Sequence, residues 1–262
     1  GLVFQQLTAE GVIEQEPALR PIHKAIAGGL YFPDDESGDA LLFCQALAGE
    51  FERIGGRIQT MTAVQGIGVA KQAVVGVETA QGFITAKRVV LSAGHQSPRL
   101  LNPTGQGLRI KPVKGYSLTL EIEDRLLQAA LRPRIPVIDD GLHAAATPLG
   151  TRLRLAGTAE FAGFDQRLDQ RRIDNLWNLL QALYPLIYRH SDRCAAIPWT
   201  GLRPVSADGK PFIGPSAVKG LYINAGHGHL GWTMAMGSAH VLAALIGGQT
   251  PAICPRPFDP LR

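Results

Sequence analysis

The run Leu221-Tyr-Ile-Asn-Ala-Gly-His-Gly-His-Leu-Gly-Trp-Thr-Met-Ala-Met236 limits the fold more than any other part of the chain. A short apolar strand leads into Gly226-His-Gly-His-Leu-Gly231, and a helix-compatible apolar stretch follows. Glycines there allow positive φ and let another group approach the backbone closely. The spacing is G-x-G-x-x-G, which in a dinucleotide-binding βαβ unit turns backbone amides toward a pyrophosphate. That use is rejected here. No acidic residue lies about 20 positions on, and no further strand follows to complete the unit. The backbone chemistry suits another electron-rich group. A helix start offers amides and a partial positive charge. An electron-accepting ring that becomes negative on reduction, such as a flavin, would be stabilised there. The plainer alternative is a glycine turn between a core strand and a core helix.

Composition narrows the classes. With 262 residues, 45% hydrophobic and 18% charged, the chain can bury a sizeable core in one large domain or two intertwined ones. The net charge is +4, but the cations are scattered over Arg132, Arg134, Arg152, Arg154, Arg167, Arg171 and Arg172. No basic run interleaved with aromatics supports nucleic-acid binding. Cys44, Cys194 and Cys254 are far apart and odd in number, so buried free thiols in a reducing compartment are expected. His227, His229 and His240 have no neighbouring carboxylate or Cys in sequence, and no metal site is expected. The apolar helix from Trp232 to Ile246 is broken by Gly237, Ser238 and His240. It is shorter than the roughly 20 residues a bilayer span needs, so no transmembrane segment is expected. No secretory signal pattern is seen at Gly1-Leu-Val-Phe4.

Periodicity orders the rest. Phe43, Leu47, Phe51 and Ile54 predict a helix over 37–54 with one apolar face, capped by Ser37 or Asp39 and stopped at Gly55-Gly56. Short strands are expected at 57–61, 63–69, 73–79 and 82–86. A parallel strand buried on both faces is expected at Val89-Val-Leu-Ser-Ala-Gly94. Beyond Asn102-Pro103 the pattern becomes alternating, at 115–122 and 151–155, which predicts half-buried antiparallel strands. Ile173, Leu176, Trp177, Leu180 and Leu183 form the face of one helix, closed by Pro185. The predicted class is mixed α/β: a partial Rossmann-like domain interrupted by an antiparallel β-sheet substrate domain with helices. The expected divisions are a lead-in at 1–36, the first domain at 37–97, the inserted domain at 98–205 and a return at 206–262.

Several runs taken together carry a family resemblance. Trp199-Thr-Gly-Leu-Arg-Pro-Val-Ser-Ala-Asp-Gly-Lys-Pro-Phe-Ile-Gly214 and Asn224-Ala-Gly-His-Gly-His-Leu-Gly-Trp-Thr-Met-Ala235 resemble the C-terminal part of FAD-dependent D-amino-acid dehydrogenases, within the D-amino-acid oxidase and glycine oxidase family. Gly29-Leu-Tyr-Phe-Pro-Asp-Asp-Glu-Ser-Gly-Asp39 and Val113-Lys-Gly-Tyr-Ser-Leu-Thr-Leu120 resemble the same proteins. The similarity extends from about Leu7 to about Ile253. Members open with a strand, a GxGxxG turn and a helix that hold the FAD pyrophosphate; nothing before Leu7 resembles this, and Gly66-Ile-Gly-Val-Ala-Lys71 lacks the third small residue. The expectation is a chain equivalent to a member without that segment, with another chain able to supply it. An open sheet edge left there would pair or be locally disordered.

The resemblance implies oxidative deamination of D-amino acids to 2-oxo acids and ammonia, with hydride transfer to flavin N5. Electrons would go to a respiratory acceptor. The location implied is cytoplasmic or peripheral at the inner face of the cell membrane. A glycine- or sarcosine-type amine oxidase, and an inert fragment or subunit unable to hold FAD alone, are the alternatives. Arg203 of Gly201-Leu-Arg-Pro204 would pair with the substrate carboxylate through two parallel hydrogen bonds. Gly228, His229, Leu230, Gly231, Trp232 and Thr233 would line the flavin's pyrimidine edge. Val64 would meet the adenine, and Ser92, Ala93 and Gly94 the ADP half. Lys114 and Tyr116 would lie near the active site. His143, on a pocket-lining strand, would tune substrate preference.

Overall fold

The computed structural model describes residues 3–122 and 132–262. The helices are α1 (Ala9–Gln15), α2 (Ala40–Arg53), α3 (Ser97–Leu101), α4 (Gln170–Leu183), α5 (Pro185–His190) and α6 (Gly231–Ile246). The strands are β1 (Gln5–Leu7), β2 (Gly29–Tyr31), β3 (Val64–Ala70), β4 (Ala73–Thr79), β5 (Gly82–Thr85), β6 (Val89–Leu91), β7 (Ile110–Glu121), β8 (Val137–Asp139), β9 (Ala144–Leu149), β10 (Arg152–Glu160), β11 (Ile197–Ser206), β12 (Phe212–Pro215) and β13 (Leu221–Ala225). The chain divides into two compact units. The first holds residues 1–45, 114–160 and 165–201; the second holds 46–113, 161–164 and 202–262.

The first unit is built on a five-stranded sheet in the order β11-β7-β10-β9-β8, with β7/β10, β10/β9 and β9/β8 antiparallel. The expected alternation in β10 is present, and Leu153 and Leu155 point into the core. Helix α4 covers that face with Ile173, Leu176, Trp177, Leu180 and Leu183, the predicted apolar residues. Asp169 caps α4 by accepting from the Arg171 N–H, and Pro185 opens α5 as its first residue. β7 departs from the expected half-burial. Ser117 and Thr119, opposite its leucines, are buried as well, so both of its faces are covered. Glu16 is a buried carboxylate that accepts from the backbone N–H groups of Ala18, Arg134 and Ile135. It ties the start of the 3₁₀ helix at Pro17–Ala25 to the segment before β8.

The second unit contains a three-stranded sheet, β12-β13-β6, in which β13 and β6 are parallel as the sequence pattern predicted. A separate antiparallel meander, β3-β4-β5, matches the expected short strands. Leu91, Leu101, Leu221, Ile223 and Phe212 form its main core, and Val241 and Leu242 of α6 pack with Ile213. The main crossings of the chain between the two units lie at 113/114 and 201/202. The reason is packing: Leu100, Leu101, Leu108 and Ile110 belong to the core of the second unit.

Three expectations are corrected. Residues 57–61 form no strand. They pair with none of the described strands and end in a turn at Met61, whose φ is +54°. β6 is not buried on both faces, because Val90 is exposed. The three cysteines are free but exposed. Helix α2 forms where predicted, with Asp39 accepting from the N–H groups of Leu41 and Leu42. Its apolar face is only partly covered, however: Phe43, Leu47, Phe51 and Ile54 are 41–67% exposed.

The contrast between α4 and α2 is measurable. Leu180→Ala, at a fully buried position, is expected to cost about 2–5 kcal/mol. Leu47→Ala should stay within about 0.5 kcal/mol. Urea unfolding followed by tryptophan fluorescence checks both values.

Candidate active site

The glycine loop adopts the strand–loop–helix form read from the sequence. Gly226 and Gly228 have φ of +86° and +58°, a region other residues rarely enter. Two backbone links fix the loop to β11. The Gly228 N–H donates to the Pro204 carbonyl at 2.9 Å, and His227 pairs with Val205 in an isolated antiparallel bridge. The loop closes with the Leu230 N–H donating to the His227 carbonyl, and α6 then begins. Its cap residue, Leu230, contributes no side-chain acceptor to the first turn. Leu230, Trp232 and Thr233 are exposed there, as is His229.

Arg203 immediately precedes the residue that receives the Gly228 N–H. Its side chain is half-buried, and desolvation pushes its pKa below the usual arginine value. A guanidinium does not lose its proton in a protein, so this cation is poorly hydrated and suited to an anionic partner. The end of β6 reaches the same place. Gly94 has φ +55°, and a Cβ added to it would stand 3.9 Å from the Pro204 ring. A Cβ on Gly228 would meet only Val205, also at 3.9 Å. Gly94, at the end of β6, and the backbone of residues 227–228 thus meet at Pro204-Val205, next in the chain to Arg203, within one unit. Val64 begins β3 in the same unit and is exposed, but nothing links it directly to this cluster.

The chemistry of the donors is one-sided. From Asn224 to Met236 the chain holds no Asp or Glu. The cluster presents backbone amides, a helix start and one guanidinium. Asn224 Oδ1, at the end of β13, is buried without a hydrogen-bond partner. Room beside Gly94 and Gly228, a loop without carboxylates of its own and an unsatisfied buried acceptor suit a planar heterocycle with both donor and acceptor edges. They do not resemble a metal site. Among the described residues, no three His, Cys, Asp or Glu side chains come together.

The other expected catalytic residues lie in the first unit. Tyr116 is 1% exposed, and its hydroxyl donates to Glu160 at 2.7 Å. Burial first, then the Glu160 charge, raise its pKa. Lys114, 2% exposed, donates to the Arg167 carbonyl and lies 3.7 Å from Asp165. Both are core residues with their polar atoms satisfied. His143 is corrected: it is not on a strand but on the exposed turn before β9, with φ +47°. Asp139 Oδ1 accepts from the Leu142 N–H and holds that turn. The Asp139-Asp-Gly141 run is a turn signal that could have placed it.

Two residues were missed. His227 Nε2 lies 2.9 Å from Ser238 Oγ, and that hydroxyl donates to the Met234 carbonyl at 2.7 Å. In the sequence, His227 was weighed only as a metal ligand and Ser238 only as a break in an apolar helix. Burial pushes the His227 pKa below 6.5. The unfolded chain therefore takes up this proton first as pH falls, and folding loses stability below about 6.5. Wild type should lose more stability than His227→Gln between pH 7.5 and 5.5, as read by urea unfolding at each pH.

No helix of the described residues is long and apolar enough to cross a membrane. A D-amino acid dehydrogenase of Bradyrhizobium diazoefficiens is 42% identical over 97% of this chain and 58% of its own length. One from Cereibacter sphaeroides is 44% identical over 97% of this chain and 56% of its own. The chain therefore spans just over half the length of these curated relatives. Among solved structures, glycine oxidase from Geobacillus kaustophilus is similar with a TM-score of 0.87 and 27% identity, covering 99% of this chain and 67% of that one. The model of the DAO family, described as FAD dependent oxidoreductase, matches residues 1–245. The chain belongs to the DAO family of FAD-dependent oxidoreductases.

Proposed function

We propose that this chain carries the substrate-carboxylate anchor and one edge of the flavin site of an FAD-dependent enzyme that oxidatively deaminates D-amino acids. The observation that carries this is the meeting of Gly94 and the backbone of 227–228 at Pro204-Val205, next in the chain to half-buried Arg203. The names of the relatives support the D-amino-acid substrate class. Bound FAD would accept the α-hydrogen of the substrate as a hydride.

The protein's part is orientation and charge. Arg203 would hold the substrate carboxylate by paired charge-assisted hydrogen bonds and so fix which α-substituent faces the acceptor. Gly228 to Thr233 would present amides and the start of α6 to the cofactor edge where negative charge grows. Ser92, Ala93 and Gly94 would pass close to the cofactor by backbone alone, which suits the absence of a side chain at Gly94. Val64 would be the adenine contact. Tyr116 supports the sheet through Glu160 and is left out of the catalytic set, as is His143. The acceptor of the electrons is proposed to be a respiratory carrier at the membrane surface.

A second reading is an amine oxidase acting on glycine or sarcosine, favoured by the likeness to glycine oxidase. Visible spectra before and after FAD addition and desalting test cofactor retention. A panel of D-amino acids, glycine and sarcosine, assayed in parallel for dye reduction and oxygen consumption, separates the two readings. Dye reduction with D-amino acids and little oxygen uptake supports the dehydrogenase. Oxygen uptake with glycine or sarcosine overturns it. In FAD-loaded protein, Arg203→Ala should weaken apparent substrate affinity by about 2–5 kcal/mol, roughly 30- to 5000-fold. Unchanged KM would remove Arg203 from the site.

A further inference from the structure

The side-chain bond between His227 and Ser238 has a definite direction. A serine hydroxyl carries one proton, and Ser238 gives it to the Met234 carbonyl one helical turn back. Ser238 Oγ can then only accept from the imidazole, 2.9 Å away. The ring must carry its proton on Nε2, leaving Nδ1 as an unprotonated acceptor. Ser238 is buried and sits on the second turn of α6, while His227 lies in the loop ahead of that helix. The same His227 is bridged through its backbone to Val205, and its neighbour Gly228 is bonded to Pro204. One residue thus joins the strand that bears Arg203 to the helix whose first turn follows the glycine loop.

A glycine loop is otherwise the least restrained segment available to a chain. The backbone links of Gly228 and His227 tie the loop to β11 on one side. The latch on α6 adds a side-chain restraint on the other. We propose that His227 and Ser238 are positioning residues: the Nε2–H to Oγ bond holds the 226–231 loop in its cofactor-ready form before any cofactor is bound. The fit of that form to a cofactor rests on the function proposed above; the latch itself rests on the geometry of the chain alone.

The test uses the full chain without added flavin. Two-dimensional ¹⁵N NMR of the histidine rings should show His227 protonated at Nε2 and unprotonated at Nδ1 near neutral pH. Amide hydrogen exchange at Gly228 and Leu230, whose N–H groups donate to Pro204 and His227, should quicken about three- to tenfold in Ser238→Ala. Amides of α4 should be unaffected. Ser238→Thr, which keeps a hydroxyl, should restore slow exchange, a recovery that simple loss of packing would not give. An Nδ1–H tautomer, or unchanged exchange at Gly228 and Leu230 in Ser238→Ala, overturns the latch. FAD titration of the same proteins is read separately. Weaker FAD binding by Ser238→Ala, restored by Ser238→Thr, supports the positioning role, and equal binding by all three proteins overturns it. If the wild-type chain takes up no FAD, it is the flavin-site reading that fails, while tautomer and exchange still decide the latch.

Discussion

The arrangement around Arg203 depends on two backbone links: the Gly228 N–H to the Pro204 carbonyl, and the Val205–His227 bridge. Without them β11 and the loop after β13 would be neighbours in topology only. With them, the guanidinium and the amides of the helix start are held within the same unit at a fixed register. The links require positive φ on both sides of His227, which explains glycine at 226 and 228 in purely conformational terms. They also explain why Pro204 is tolerated in a strand. Its missing N–H removes a donor, but the accepting carbonyl is what the loop uses.

The features legible in the sequence were those with a local period or a forced conformation. Helix α4 showed itself through its apolar face and the Pro185 that closes it. Its partner strand β10 showed strict alternation, and β13, the loop and α6 were marked by composition alone. The Gly201-Leu-Arg-Pro204 run pointed to Arg203 through the family resemblance, and the structure sets Pro204 of that run beside Gly94, more than a hundred positions earlier in the chain. That proximity could not come from spacing, because sheet neighbours are chosen by packing across the whole unit.

The features that stayed hidden depend on partners distant in sequence. β7 looked half-buried because Ser117 and Thr119 are polar. Yet Ser117 accepts from Arg154 on the paired strand, so a polar side chain is covered at little cost. Residues 57–61 had strand-like composition but find no described strand to pair with, and a strand without a ladder is not a strand. Tyr116 and His143 were placed by resemblance to the family. Their surroundings, a carboxylate for one and an exposed turn in place of a strand for the other, are set by partners that the resemblance does not reveal. The His227–Ser238 bond spans a loop and two helical turns, a separation that matches no common motif.

Helix α2 has a consequence of a different kind. Its 14 residues bury none of their side chains, though they include two phenylalanines and several leucines. A helix of that length draws little from intrinsic propensity, and most helices of this size persist because one face is packed. The Asp39 cap and the Glu50–Arg53 pair supply what local support there is. Its apolar stripe is therefore a colloidal property as much as a structural one. An apolar stripe left partly exposed lowers a chain's solubility, and salt that screens a net charge of +4 lowers it further.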